Sequence, residues 1–349
     1  MARTSNKLPA DLLKSVSRSF YLTLRVLPTK IRFPIGLAYL LARITDTIAD
    51  TGLIPVEKKL QALQALRERI LGLTEAPLDF GELALQQAAP AERELLEKCE
   101  ASLALLQKLT PADLHLVRNV LSMITSGQEL DLQRFTRASR ERIVALSTDR
   151  ELDDYTYRVA GCVGEFWTKI CRLHLFPRAV LDDTFLLESG VRFGKGLQLV
   201  NILRDLPADL RHGRCYLPTE SLSVAGLKPE DLLQPANEPR LRRLYGTYLD
   251  RAQAHLLAGW AYTNAIPQWN VRLRLACSWP ILIGMETLKL LRSGNALDPQ
   301  QHIKVSRRQV RLLMLRSVLM YPWGKAWRNL VPSTAGLSGK AVASEAVLP

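Results

Sequence analysis

No run of about 18 apolar residues occurs in this 349-residue chain, so no segment is expected to cross a membrane as a helix. Cysteine is scarce: Cys99, Cys162, Cys171, Cys215 and Cys277 are odd in number and scattered, which excludes a disulfide framework and a cysteine zinc site. The five histidines are equally dispersed, and a histidine-based metal site goes with them. The opening MARTSNKLPADLLK has no apolar core and is not read as a signal peptide. These absences lead to the expectation of a reduced, cytoplasmic protein. Clean alternation over strand length is hard to find, and no Gly/Ser linker or composition break divides the chain. Acidic residues are missing altogether from Pro299 to Ser344, where Lys304, Arg307, Arg308, Arg311, Arg316, Lys325, Arg328 and Lys340 fall.

What is present is helical periodicity nearly throughout, a 47% hydrophobic content ample for a core, and a net charge of +13. Such a charge predicts an anionic partner: nucleic acid, a phosphorylated small molecule or a lipid surface. No zinc finger, RNA-binding aromatic motif or disordered basic arm is found, so nucleic acid is not expected.

Two acidic ladders stand out. In GLQLVNILRDLPADLRHGRCYLP (196–218), Gln198, Asn201 and Asp205 fall on one helical face, and Asp209 extends it by a turn. Leu197, Leu199, Val200, Ile202 and Leu203 make the rest of that helix apolar, which predicts burial. In YLLARITDTIAD (39–50), Asp46 and Asp50 are again four apart, with Arg43 a turn earlier and apolar flanks. One Asp pair at i, i+4, taken alone, is more often a solvated helix face. Two pairs on two buried helices can face each other and hold cations between them, because close carboxylates repel and lose hydration unless positive charge intervenes. Mg²⁺ suits this, since it takes one or two carboxylates together with water and phosphate oxygens. Arg204 and Arg214 are suited to forked contacts with phosphate.

In chain order, residues 9–30 read as a helix region that Pro28 ends or kinks. A second helix runs from about 34 to 50, and 55–72 forms an amphipathic scaffold helix. Residues 73–92 are the least regular internal segment. Helices near 91–108 and 111–130 follow, the second with Pro111 after Thr110 at its start. A long stretch then carries Tyr155 to about Leu173, with Gly161 and Gly164 permitting close backbone approach to a helix or a substrate. Pro207 removes an amide between Asp205 and Asp209, which predicts Asp209 on a turn just past the helix. Regions 229–265 and 268–293 add two helices, the second with Pro280 as a kink. The stretch LLMLRSVLMYPWGKAWRNLV mixes Tyr321, Trp323 and Trp327 with basic residues; it suits a helix in the headgroup layer of an anionic membrane, or an ordinary packed helix.

Several motifs together resemble the squalene/phytoene synthase family. They are SRSFYLTLRVLPTKIR at 17–32, Arg43-x-x-Asp46-Thr-x-x-Asp50, Tyr155 with VAGCVG at 159–164, Gln198-x-x-Asn201-x-x-Arg204-Asp205-x-x-x-Asp209 ending in GRCYLP, and more weakly KVSRRQV at 304–310. Ala49 and Ala208 stand where that family often has Glu. The resemblance implies an all-α, single-domain helical bundle around a central apolar cavity, spanning 1–331 and followed by a tail at 332–349 expected to be disordered. It implies Mg²⁺ on Asp46, Asp50, Asn201, Asp205 and Asp209, and substrate contacts from Arg18, Arg43, Gln198, Asn201, Arg204 and Arg214. Tyr155 would steady or relay a proton around a carbocation, and Lys304 and Arg307 would hold NADPH. The implied activity is head-to-head joining of two farnesyl diphosphates to squalene. Within the family the alternatives are a phytoene or dehydrosqualene synthase that needs no NADPH, or a presqualene diphosphate synthase. From another class, a non-catalytic basic protein of membrane surfaces stays open.

Overall fold

A computed structural model describes residues 10–17, 20–52, 54–301 and 303–331. Helices carry most of the described chain, and several of their starts are marked by a capping side chain or a proline. Thr110 accepts from the Asp113 amide and Pro111 opens α8 (Pro111–Arg134), as its sequence predicts. Thr148 caps α9 (Asp149–Thr156) and Asp182 caps α11 (Asp183–Arg211) in the same way.

In the N-terminal region, expected to be helical over 9–30, the described residues form α1 (Ala10–Ser17) and α2 (Phe20–Val26). Pro28 is the residue before α3 (Thr29–Asp50), whose first turn therefore begins earlier than 34. A proline tolerates this place because no helical amide is needed there. α4 (Val56–Leu71) ends at Gly72 in the left-handed conformation. The irregular 73–92 segment contains a short α5 (Gly81–Leu85) and the start of α6 (Pro90–Glu97), which α7 (Cys99–Ala104) follows.

After α9 the chain makes one π-helical turn, Tyr157–Gly161, before α10 (Cys162–His174). Here α10 and α11 approach so closely that a Cβ on Gly164 would collide with the Gly190 carbonyl oxygen. The close approach expected at this glycine is thus to a neighbouring helix. Beyond α11 come α12 (Thr219–Val224), α13 (Glu238–Ala265), α14 (Val271–Ser293), α15 (Arg307–Met320) and α16 (Gly324–Arg328). Among the described residues the one sheet is a two-residue parallel pair, β1 (Val144–Ala145) with β2 (Arg214–Cys215). It pins the segment leaving α11 to the loop before α9 through Val144 N–H to Gly213 O at 2.8 Å.

The core has two halves. One packs α3, α4, α8 and α10 through Ile44, Leu63, Leu121 and Ile170; the other packs α11, α13 and α14 through Leu203, Tyr245, Leu249 and Ile281. Polar side chains collect at the seam between them.

Pro207 does not end α11, which continues to Arg211. A helical proline orphans the carbonyl four residues back, here that of Leu203. The Tyr245 hydroxyl, fully buried on α13, donates to that carbonyl at 3.0 Å and so replaces the missing amide. Asp209 is therefore helical and stays on the Asp205 face, a correction to its placement on a turn. Tyr245→Phe is expected to cost about 1–3 kcal/mol, the penalty of a buried unsatisfied carbonyl. A thermal melt checks the loss; an unchanged midpoint would show that α11 spans Pro207 without this donor.

Candidate active site

At the seam lies a cavity of about 380 Å³, lined by α3 (Asp46, Ala49, Asp50), α8 (Ile124, Gln128, Asp131, Leu132), Tyr155, Val159, α11 (Gln198, Asn201, Ile202, Asp205, Asp209), Arg214 and Tyr216. The two ladders predicted to meet do meet. Of the other expected site residues, Tyr155, Gln198, Asn201 and Arg214 are here as well. Arg18 lies outside the described residues. Lys304 and Arg307 are exposed and do not line the cavity.

Arg43 and Arg204 reach the site through its carboxylates rather than by lining it. Arg43 donates to Asp46 at 3.1 Å and to Glu92 at 3.4 Å. Arg204 forks onto Asp205, Nε to Oδ1 at 2.8 Å and Nη2 to Oδ2 at 2.5 Å, which holds the guanidinium charged. Lys59 on α4 donates to the Ala49 carbonyl at 3.2 Å, fastening the C-terminal turn of α3.

The carboxylates face a cavity deep in protein, and their solvation is poor even where part of their surface is open to it. Burial pushes Asp46 up to about 6 against the pull of Arg43. Burial likewise raises Asp50, and brings Asp131 to about 6 against Arg214 and a Tyr216 hydrogen bond. Asp209 is raised to about 7 by burial and then by Asp205, with Asp131 and Asp50 adding to it while Arg214 opposes. Asp209 thus feels carboxylates from three helices, and Arg214 is the cation among them. Burial works against the Arg214 charge, but Tyr216, Asp131 and Asp50 more than restore it.

Three polar lining residues, Gln128, Asp131 and Tyr216, had no assigned role from sequence. Tyr155 donates to the Tyr216 hydroxyl at 3.4 Å, with the rings stacked 4.8 Å apart. Tyr216 in turn donates to both Asp131 oxygens at 3.1 and 3.2 Å. Asp131 lies 3.6 Å from Arg214. Gln128 donates to Asp46, which leaves its own Oε1 buried without a partner. The signal for Gln128 and Asp131 was their i, i+3 spacing on α8, the same spacing as Gln198 and Asn201.

This donor set is all hard oxygen, over-negative and partly orphaned, which fits divalent cations. Among the described residues no three acidic, histidine or cysteine side chains close around one point. The set therefore suits ions that take one or two protein carboxylates each and complete their shell with water or phosphate oxygens, the habit of Mg²⁺. Asp46, Asp50, Asp205, Asp209 and Asn201 are placed to do this.

Known proteins resemble the chain in sequence and in fold. The sequence model of the squalene/phytoene synthase family matches residues 13–309. The chain is 32% identical over 251 residues to a bifunctional lycopene cyclase/phytoene synthase of Gibberella fujikuroi, covering 69% of this chain and 40% of that protein. It spans about two fifths of the length of that and other such bifunctional relatives. A presqualene diphosphate synthase of Rhodopseudomonas palustris is 28% identical, covering 88% of this chain and 95% of that one. Squalene synthase of Saccharomyces cerevisiae is 26% identical, over 88% and 66% respectively. In fold, the complex of TcSQS with the ligand E5700 matches with a TM-score of 0.70 at 22% identity, over 89% of each chain. Sequence match, fold and ladder geometry lead to one statement: the chain belongs to the squalene/phytoene synthase family.

Proposed function

We propose that this protein joins two farnesyl diphosphates head to head, through presqualene diphosphate, to squalene. The observation that carries the reading is the convergence of the α3 and α11 carboxylates on one cavity that also holds Arg214. Mg²⁺ bound there would neutralise diphosphate oxygens and ease ionisation of the allylic C–O bond. Arg43 and Arg204, seated on Asp46 and Asp205, would exchange those carboxylates for incoming phosphate. The 2,3-double bond of the second substrate attacks the allylic cation, and loss of one proton closes the cyclopropane. Tyr155 has its hydroxyl pushed well above its ordinary range by burial and by Asp131, so it meets that cation as a neutral phenol. Ile124, Leu132, Val159 and Ile202 keep water from capturing the cation.

The squalene ending needs a hydride, which NADPH supplies when bound. Its support is sequence resemblance: KVSRRQV and the Asp46-Thr47 pair. Thr47 itself is buried and donates to the Arg43 carbonyl at 2.8 Å, behind the cavity wall. A second reading, a dehydrosqualene or phytoene type that ends by proton loss, is favoured by the Tyr155–Tyr216–Asp131 chain. It runs along the cavity wall to a carboxylate raised to about 6, able to accept a proton. Product analysis by mass spectrometry from farnesyl diphosphate and Mg²⁺ decides between them. Squalene with NADPH, and presqualene diphosphate or its dehydrated and hydroxylated derivatives without it, is the expected result. Identical products in both, or far better use of geranylgeranyl diphosphate, would replace it by the second reading.

A further inference from the structure

Five of the fifteen exposed large apolar side chains among the described residues fall within 312–323: Leu312, Leu315, Val318, Leu319 and Trp323, between 46% and 65% exposed. They belong to an element seated firmly from its other side. Ser317 on α15 is buried and accepts from Trp279 Nε1 at 3.0 Å. Trp327 on α16 is also buried, its ring 5.2 Å from Trp260 and its Nε1 donating to Asn264 at 2.9 Å. Arg274 lies against the Tyr321 and Trp327 rings at 5.4 and 5.3 Å. Of the two tryptophans that sequence assigned to one surface, Trp327 is core and Trp323 alone is outside.

Helical spacing aligns Leu312, Leu315 and Leu319 as one outward stripe, with Arg311 and Arg316 on its two flanks and Arg308 at its N-terminal end. All three arginines are exposed, and none pairs with a carboxylate of the described residues. No acid occurs from Pro299 to Ser344 to neutralise them. A partner for this face must be anionic at its surface and apolar just beneath, which is the layering of a bilayer with acidic lipids. A second copy of the chain would set the same arginines against each other. We propose that the outer face of α15, with Trp323, docks the protein onto the headgroup region of an anionic membrane. This stands independently of the reaction proposed above.

The test is co-sedimentation of the full chain with vesicles of phosphatidylcholine alone or with about 30% phosphatidylglycerol, at low and high salt. Binding to the acidic vesicles is expected, at least about tenfold weaker without the acidic lipid and at high salt. Arg308→Gln/Arg311→Gln/Arg316→Gln should weaken it about a hundredfold. Leu315→Asn/Leu319→Asn/Trp323→Ser should weaken it about tenfold or more, with circular dichroism confirming the fold. Failure of the parent to bind, equal binding to both vesicles, or parent-like binding by either folded variant overturns the proposal. So does binding that appears only after truncation at Val331, which would assign the face to residues 332–349. A dimer in sedimentation velocity that the apolar variant dissociates would assign it to a second copy and overturn the proposal equally.

Discussion

Asp50→Ala and Asp209→Ala are each expected to lower turnover about a thousandfold, ~4 kcal/mol of barrier, while melting at or above the parent temperature. The two halves of this expectation come from one feature. Asp209 sits among Asp205, Asp131 and Asp50, and its carboxyl is held up at about 7 because burial and those charges disfavour ionisation. Removing one charge from that group relieves repulsion in the free protein. The same removal deprives a departing diphosphate of counter-charge. A residue with a merely structural role would lose stability along with activity. Asp205→Ala should lose comparable activity but also the Arg204 fork, a partly exposed pair worth at most about 1 kcal/mol. Steady-state kinetics with a parallel melt separates these cases; near-parental turnover in Asp50→Ala or Asp209→Ala at saturating Mg²⁺ removes them from the site.

The second large effect is on pH. Asp46 and Asp131 titrate at about 6 and Asp209 at about 7, all above the ordinary carboxylate value of 3.8. For an acid raised on folding, the stabilising contribution is fully present below the unfolded value and is lost as pH rises through the folded one. The cation-free protein should therefore melt about 2–3 °C lower at about pH 8 than at about pH 5.5, a shift of order 1–2 kcal/mol. Added Mg²⁺ should close the gap at the higher pH and do little at the lower, where protons occupy its ligands. Turnover moves the opposite way. It should fall about tenfold or more from pH 8 to pH 5.5, as two or three carboxylates protonate together. Melting curves with and without Mg²⁺ at the two pH values check the sign.

Both ladders were legible in the sequence because each is local: four-residue spacing on an apolar helix fixes which carboxylates share a face. Arg43 and Arg204 were legible as neighbours of the ladder carboxylates for the same reason, and those carboxylates are their partners in the structure. Asp209 was misplaced because the rule for proline is local, whereas its remedy, the Tyr245 hydroxyl, comes from 42 residues beyond the carbonyl it satisfies. Asp131 and Tyr216 lie 85 residues apart, and neither means much until β2 is clamped to β1 and delivers the phenol to α8. Trp323 and Trp327 have equivalent composition around them; only the packing of α16 against Trp260 separates an outer ring from a core ring.

On this reading α3 and α11 contribute to one shared cation–diphosphate site. Calorimetric titration with inorganic diphosphate tests it without requiring turnover. A shared site predicts micromolar binding only when Mg²⁺ is present, weakened about tenfold or more by Asp50→Asn and by Asp209→Asn alike. Binding that is equally tight without a divalent cation, or that either substitution leaves unchanged, would contradict it.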